Sequence, residues 1–241
     1  MKSARPESTT DSLLLTCEHA GNRIPRPYAA LFRDAVDVLA SHRGWDPGAL
    51  DVSRSLAKKF GVPLHAVTWS RLLVESNRSP TNPRIWSQYT EELSAAERER
   101  ILVQYWWPHR RAVDAAVRQS VAQRRRVIHI AVHSFTPVLD SKTRNADIGL
   151  LYDPARPGES ALCKRWEQIL RELDPMLRVR RNYPYRGNAD GLATWIRREF
   201  PDALYAGMEL ELNQALLASS RCRPLKSVLA ASIARVLAES A

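Results

Sequence analysis

Short apolar runs alternate with longer amphipathic segments along most of this chain, and this alternation restricts the fold more than any other feature. The clearest run, residues 127–133, reads VIHIAVH and is rich in β-branched residues, as buried strands are. The same pattern predicts strands or extended segments at residues 12–17, 63–67, 72–75, 147–152, 179–182 and 203–212. Because strands that alternate with helices form parallel sheets, we predict an α/β fold with a mainly parallel mixed sheet flanked by helices.

Helical periodicity fills the intervals between these strands. It predicts helices at residues 49–60, 160–173, 192–200 and 224–239, and a long helical segment at 91–126 that Pro108 interrupts. The chain contains no long linker and no internal repeat, so residues 12–241 are predicted to form a single domain. Residues 1–11 are polar and are predicted to be a disordered lead-in.

The chain is basic, with a net charge of +10 that can indicate nucleic acid or anionic substrates as partners. Its arginines are spread along the sequence, and the densest run, residues 124–126, is typical of a solvated helix end. The aromatic residues show no stacking pattern. We therefore expect no nucleic-acid partner.

Cysteine usage and hydropathy indicate the compartment. The three cysteines are widely spaced and form no CxxC pair, which favours a reducing environment. The amino-terminal residues lack the apolar core of a signal peptide, and every apolar run is of strand length. We therefore expect a cytoplasmic protein with no membrane partner.

Polar residues stand where several predicted strands end. His19, the pair Asn77 and Arg78, His133 and Glu211 all fall at or just after such ends. In sheets of this class, ligands bind at the carboxyl edge of the strands. Imidazoles that can hold a metal and a glutamate that can activate its water are the parts of a zinc hydrolase site.

Of the six histidines, His19 and His133 are the predicted zinc ligands. His129 is four residues from His133, which in a strand separates them by roughly 13 Å, so the two cannot share one metal. We interpret His129 as a core histidine. The remaining histidines are interpreted as structural, namely His42, His65 and His109.

A catalytic zinc site takes a third protein ligand and leaves one position open for water. Asp46 is the first candidate, because it lies in a loop that opens a predicted helix; it is equally suited to cap that helix. Glu18 and Asn22, next to His19, are the other candidates. The residues alone leave the third ligand open.

Glu209 and Glu211 lie two residues apart in a predicted strand and therefore face the same side. In an apolar run, such a pair needs a metal, a cation or water, and salt bridges to the many arginines are the alternative. We predict that Glu211 is the general base that takes a proton from the attacking water and passes it to the leaving amine. The role of Glu209 stays open.

Loop arginines could recognise an acidic substrate. Arg78 and Arg144 each stand beside an asparagine after a predicted strand, and guanidinium groups bind carboxylates through paired hydrogen bonds. Each could equally tie loops together. Tyr185, in the segment at 183–187, is predicted to belong to a mobile wall or lid of the site.

With these residues in place, the sequence resembles the N-formylglutamate amidohydrolase family from about residue 12 to 215. The stretches that carry the resemblance are CEHAGNRIP at 17–25, WDPGA at 45–49, ESNRSP at 75–80, AVHSFTP at 131–137, RNADIGLLYD at 144–153, NYPYRG at 182–187 and ELNQ at 211–214. The resemblance implies an α/β fold related to zinc carboxypeptidases. It also implies zinc-dependent hydrolysis of an N-acyl amino acid, typically N-formyl-L-glutamate to formate and glutamate.

By the same resemblance, His19 and His133 are expected to bind the metal and Glu211 to be the catalytic carboxylate. Asn77 and Arg78 are expected to bind the substrate's α-carboxylate. Sites of the carboxypeptidase kind have a glutamate three residues after the first histidine, where this chain has Asn22. That departure is why the third ligand is left open.

The expected partner is thus a small anionic N-acyl amino acid. One alternative is a related amidase that acts on another N-acyl amino acid or on a peptide, with the same site and a different pocket. An alternative of another class is a non-catalytic binding protein that uses the +10 charge, which predicts salt-sensitive nucleic-acid binding and no zinc.

Overall fold

The computed structural model describes residues 11–240, so the predicted lead-in at 1–11 lies outside the described residues except for Asp11. The strands are β1 (Ser12–Cys17), β2 (Leu64–Ala66), β3 (Val127–Phe135), β4 (Val138–Leu139), β5 (Lys142–Thr143), β6 (Ile148–Leu151), β7 (Val179–Arg181) and β8 (Tyr205–Asn213). The α-helices are α1 (Val36–Ala40), α2 (Ala49–Phe60), α3 (Ala95–Ile101), α4 (Trp107–Ala122), α5 (Pro157–Leu173), α6 (Leu192–Arg197), α7 (Gln214–Leu217) and α8 (Cys222–Ser240).

A six-stranded sheet in the order β2-β1-β3-β8-β6-β7 forms the centre of the fold. The strands β2, β1, β3 and β8 run parallel to their neighbours, β6 runs antiparallel to β8, and β7 runs parallel to β6. The predicted mainly parallel mixed sheet flanked by helices is therefore confirmed. A separate hairpin of β4 and β5 follows β3.

Side-chain alternation divides the sheet into two faces. Ile128, Ile130 and Val132 of β3 belong to the large apolar core, together with residues of α2, α5 and α8. The helices α4 and α6 contribute to another core cluster, through Val113 and Ile196 among others, and contact β3 and β8 respectively. Helices therefore pack on both faces of the sheet. The polar residues near the ends of β3 and β8 line a cavity at the carboxyl edge.

Two predicted elements differ in the structure. Residues 72–75 form a turn and an irregular segment, not a strand, and their apolar side chains pack in a third core cluster with Tyr28 and Phe32. Burial explains their hydrophobicity without any strand partner. The predicted helical segment at 91–126 is divided by a π-helical turn, Leu102–Trp106, which runs directly into α4 just before Pro108.

None of the helices within residues 11–240 is long and apolar enough to cross a membrane.

His129 agrees with its interpretation as a core residue. It is fully buried and bonded through both ring nitrogens, Nε2 to Thr16 Oγ1 at 2.9 Å and Nδ1 to the Tyr205 hydroxyl at 2.6 Å. Burial lowers its pKa to about 3, so the ring is neutral. It does not line the cavity at the carboxyl edge of the sheet.

Candidate active site

The parallel strands β1, β3 and β8 end at the same edge of the sheet, and the polar residues predicted there do meet. His133 of β3 stands opposite Glu211 of β8 in the strand register, so both side chains point to the same face. His19 follows β1 by two residues, and Asp46 follows it in the loop before α2. All four line one cavity of about 310 Å³.

His19, Asp46 and His133 present three ligand atoms to one point. His133 Nδ1 lies 2.9 Å from Asp46 Oδ2 and 3.2 Å from His19 Nδ1, and His19 Nδ1 lies 3.3 Å from the same carboxylate oxygen. Ligands at tetrahedral positions around zinc stand about 3.3 Å apart. These three buried residues could therefore hold a metal ion.

The outer nitrogen of each imidazole faces another buried carboxylate. His19 Nε2 contacts Glu75 Oε1, and His133 Nε2 lies 3.0 Å from Glu18 Oε2. Metal-binding histidines commonly carry a carboxylate on the nitrogen that does not bind the metal, because it fixes the tautomer and the ring orientation. The site thus has an inner group of ligand atoms and an outer group of carboxylates.

The three candidates for the third ligand have different contacts in the structure, and only one of them faces both histidines. Asp46 faces both histidines, whereas Glu18 lies behind His133 and Asn22 donates from Nδ2 to the Leu39 carbonyl at 3.0 Å. The capping alternative for Asp46 is wrong, because Gly48 occupies the N-cap of α2 and no side chain caps that helix. The backbone N–H of Ser134 donates to Asp46 Oδ2 at 3.2 Å and holds the carboxylate toward β3.

Asp46 is an ionised group in a buried setting. Burial alone would raise the pKa of Asp46, but the charges and hydrogen bonds of His19 and His133 lower it below its usual value. Burial likewise would lower the pKa of His133, while Asp46 and Glu18 raise it well above the usual value. The cluster therefore balances cationic groups against carboxylates.

Glu75 and Arg71 belong to the site although the sequence did not single them out. Arg71 Nε donates to Glu75 Oε2 at 2.8 Å, and Asn77 N donates to Glu75 Oε1 at 3.0 Å. A second Arg71 nitrogen lies 3.5 Å from Asp46 Oδ1. Glu75 is part of the ESNR stretch, two residues before Asn77, so the spacing offered a signal that could have found it.

Glu211 is 5% exposed, and its Oε2 has no hydrogen-bond partner among residues 11–240. Burial raises its pKa to about 8, helped by the charges of Asp46 and Glu209 and opposed by His133. Glu209 lies one pleat before it on the same strand and also lines the cavity. An unpaired buried carboxylate that faces a cavity is suited to bind a cation or to exchange a proton.

Gly149 makes room for Glu211. It stands opposite Glu211 on β6, and an added Cβ would lie 1.9 Å from the Tyr183 carbonyl oxygen and 3.2 Å from Glu211 Cβ. We expect Gly149→Ala to lower the free energy of unfolding by about 3 kcal/mol through this overpacking, measured by urea denaturation. Gly61→Ala is the control, because its added Cβ meets nothing within 4 Å and only its φ of 65° costs about 1 kcal/mol. Equal losses in the two variants would contradict the steric account.

The predicted substrate-binding residues occupy different positions. Asn77 and Arg78 line the cavity; Asn77 Oδ1 accepts from Leu192 N at 2.8 Å, and Arg78 donates to the Asp190 carbonyl at 2.6 Å. Tyr185 lines the cavity and is 47% exposed. Arg144 is not among the lining residues, and its guanidinium lies over the Tyr185 ring, 5.0 Å from the centroid.

Arg186 also lines the cavity, and sequence reasoning did not assign it. Its side chain is exposed and has no hydrogen bond or ion pair to any other residue within 11–240. Arg71 differs, because its guanidinium forms ion pairs with Glu75 and Asp46. Arg186 is therefore a cation at the cavity that is free to meet a ligand.

A sheet whose carboxyl edge gathers buried ionisable groups around a cavity is the arrangement of an α/β enzyme. The sequence model of the N-formylglutamate amidohydrolase family matches residues 11–218. The chain therefore belongs to that family, and it is an enzyme of the amidohydrolase type. The predicted resemblance is confirmed.

Solved structures agree with this fold. A gene product of Agrobacterium tumefaciens is 29% identical, with a TM-score of 0.77 over 96% of this chain and 90% of that chain. The N-formylglutamate amidohydrolase from Ralstonia eutropha is 19% identical, with a TM-score of 0.72 over 98% of this chain and 96% of that chain. No match was found among curated proteins.

Proposed function

We propose that this enzyme hydrolyses N-formyl-L-glutamate to formate and L-glutamate with a zinc ion held by His19, Asp46 and His133. The observation that carries the proposal is the trio of ligand atoms about 3 Å apart beside the unpaired carboxylate of Glu211. Membership of the N-formylglutamate amidohydrolase family supports the substrate class.

The charge of the cavity supports a divalent cation. Its lining residues include the carboxylates of Asp46, Glu75, Asp190, Glu209 and Glu211 and only three arginines. In the form that binds a metal, with the histidines neutral and the five acids ionised, these residues carry a formal charge of −2, which opposes an anionic substrate. One divalent cation brings the sum to zero.

Two nitrogen ligands and one carboxylate oxygen, with room for a fourth ligand, are a donor set that zinc accepts in hydrolases. When bound, zinc supplies a Lewis acid for the acyl carbonyl and lowers the pKa of water. Glu211 then takes the proton of the attacking water at its unpaired Oε2 and delivers it to the leaving nitrogen. Its burial keeps the exchange away from bulk solvent.

Arginines of the cavity are proposed to hold the two carboxylates of the substrate. Arg78 uses one nitrogen on the Asp190 carbonyl and has donors left for the α-carboxylate. Arg186 is free and is proposed to bind the side-chain carboxylate. Arg144 and Tyr185 pack against each other beside it and would shape the cavity's rim.

A substrate panel tests this assignment. We expect Arg186→Met to lower kcat/KM for N-formyl-L-glutamate by roughly 10- to 100-fold, the worth of one hydrogen-bonded ion pair. The loss should be much smaller for N-formyl-L-glutamine, which has the same shape without the charge. The measurement is formate release with both substrates, and Arg198→Met, an exposed arginine outside the cavity lining, is the control.

The possible outcomes test the role of Arg186 and the identity of the substrate separately. Formate release by the wild type that Arg186→Met reduces equally for both substrates would overturn the role of Arg186. No formate release by the zinc-loaded wild type, with cleavage of another N-acyl amino acid, would replace N-formyl-L-glutamate by the substrate of a related deacylase.

A further inference from the structure

We propose that Glu18 is the positioning carboxylate for His133, and that His109 of α4 holds Glu18 in that position. This inference rests on the proposed metal site, and it concerns residues behind the ligands. Glu18 was a candidate ligand from the sequence, and the structure gives it a different set of contacts.

Glu18 connects two imidazoles. Its Oε2 lies 3.0 Å from His133 Nε2, on the side of the ring opposite Asp46, at ion-pair distance but without the alignment of a hydrogen bond. Its Oε1 is hydrogen-bonded to His109 Nε2 at 3.3 Å. The carboxylate follows β1 directly and is 1% exposed. Each oxygen therefore faces one histidine, and the three residues form a chain from α4 to the ligand cluster.

A carboxylate this deeply buried needs partners, because an unpaired one costs several kcal/mol. Among residues 11–240, these two histidines are the only ion-pair partners of Glu18. The charge of Glu18 is thus directed at the imidazoles and not at an arginine.

The two ligand histidines differ in this respect. Glu75, which faces His19, also binds Arg71 through its other oxygen. Glu18 has no arginine or lysine at ion-pair distance within the described chain. Because Arg71 neutralises much of Glu75, Glu18 is the stronger acceptor for a ring N–H. We therefore expect His133 to depend on its carboxylate more than His19 does.

The chemical consequence is a fixed tautomer. If Glu18 accepts the proton on Nε2 of His133, the lone pair of Nδ1 points to the space it shares with His19 and Asp46. That is the form in which a neutral imidazole binds a metal. Glu18 would thus raise metal affinity without touching the metal.

His109 gives the arrangement its second support. It lies in the first turn of α4, directly after Pro108 and the π-helical turn, and it is 9% exposed. It lines a cavity of about 360 Å³, on which His65 also opens. Its contact with Glu18 joins α4 to the end of β1, so a change at His109 should reach His133 only through Glu18.

The test is zinc affinity, measured by competition with a chromophoric chelator on purified full-length protein. We expect Glu18→Gln, which keeps the shape and removes the charge, to weaken zinc binding by about 10- to 100-fold. Glu18→Asp, which keeps the charge, should bind zinc more tightly than Glu18→Gln. The visible spectrum of the cobalt-loaded protein should shift in Glu18→Gln, because the basicity of the His133 ligand changes.

His109→Gln should weaken zinc binding in the same direction, and the double variant should bind no more weakly than Glu18→Gln alone. His65→Gln is the matched control, since it opens on the same cavity without an ion pair to Glu18. Thermal unfolding of each metal-free variant checks that the fold is kept. If Glu18→Gln unfolds, the comparison of His109→Gln with His65→Gln carries the test.

Wild-type zinc affinity and an unchanged cobalt spectrum in a folded Glu18→Gln protein would overturn this inference and leave the proposed function standing. A full additive loss in the double variant would remove His109 from the chain of contacts. A wild-type protein that binds no zinc would overturn both the inference and the proposed metal site.

Discussion

Replacing Glu211 with Gln is expected to lower kcat by about 10³-fold while the protein still binds zinc, as the loss of a general base does. Glutamine keeps the volume of the side chain, so the apolar surroundings of β8 stay filled. It cannot accept the proton of the attacking water. The measurement is the rate of formate release together with metal content, and the separation of these two readouts identifies a catalytic role.

Glu209→Gln is the matched control, because Glu209 lies on the same face of the same strand and lines the same cavity. We expect it to change kcat by less than tenfold, since Glu211 stands opposite His133 in the register and Glu209 stands opposite Ala131. Wild-type turnover by Glu211→Gln, with a large loss in Glu209→Gln, would mean that Glu209 and not Glu211 is the general base.

Loss of a metal ligand is the second large effect. We expect His133→Ala and Asp46→Asn to weaken zinc binding by more than the roughly 100-fold that an outer partner is worth, and to abolish formate release. Both residues are buried and supply atoms of the inner group. Metal content after dialysis is the measurement. His42→Gln is the control, an exposed histidine that does not line the cavity.

Retention of one zinc per chain in both His133→Ala and Asp46→Asn would contradict the ligand set. Retention in Asp46→Asn alone would point to Glu75 as the third ligand, because it is the other carboxylate in contact with His19.

Local patterns were enough to predict the sheet and much of the site's edge. Apolar runs marked the strands, and the alternation in β8 correctly put Glu209 and Glu211 on one side. The rule that parallel strands end at one edge was enough to predict that His19 and His133 lie close together. These features depend on neighbours in the chain or on the direction of strands, which a sequence carries directly.

What the sequence left open depends on contacts between distant segments. Asp46 could cap a helix or face the histidines, and the choice is made by Ser134 N and His133, almost 90 residues away in the chain. Residues 72–75 were predicted as a strand because buried turns and buried strands are equally apolar. Glu75 was missed for that reason, and so was its partner Arg71.

The most direct test of the account is the metal content of the purified protein, measured with formate release from N-formyl-L-glutamate on the wild type and on His133→Ala. We expect about one zinc per chain and formate release in the wild type, and the loss of both in the variant. A wild type that releases formate with no metal bound, or a His133→Ala protein that keeps both zinc and activity, would contradict it.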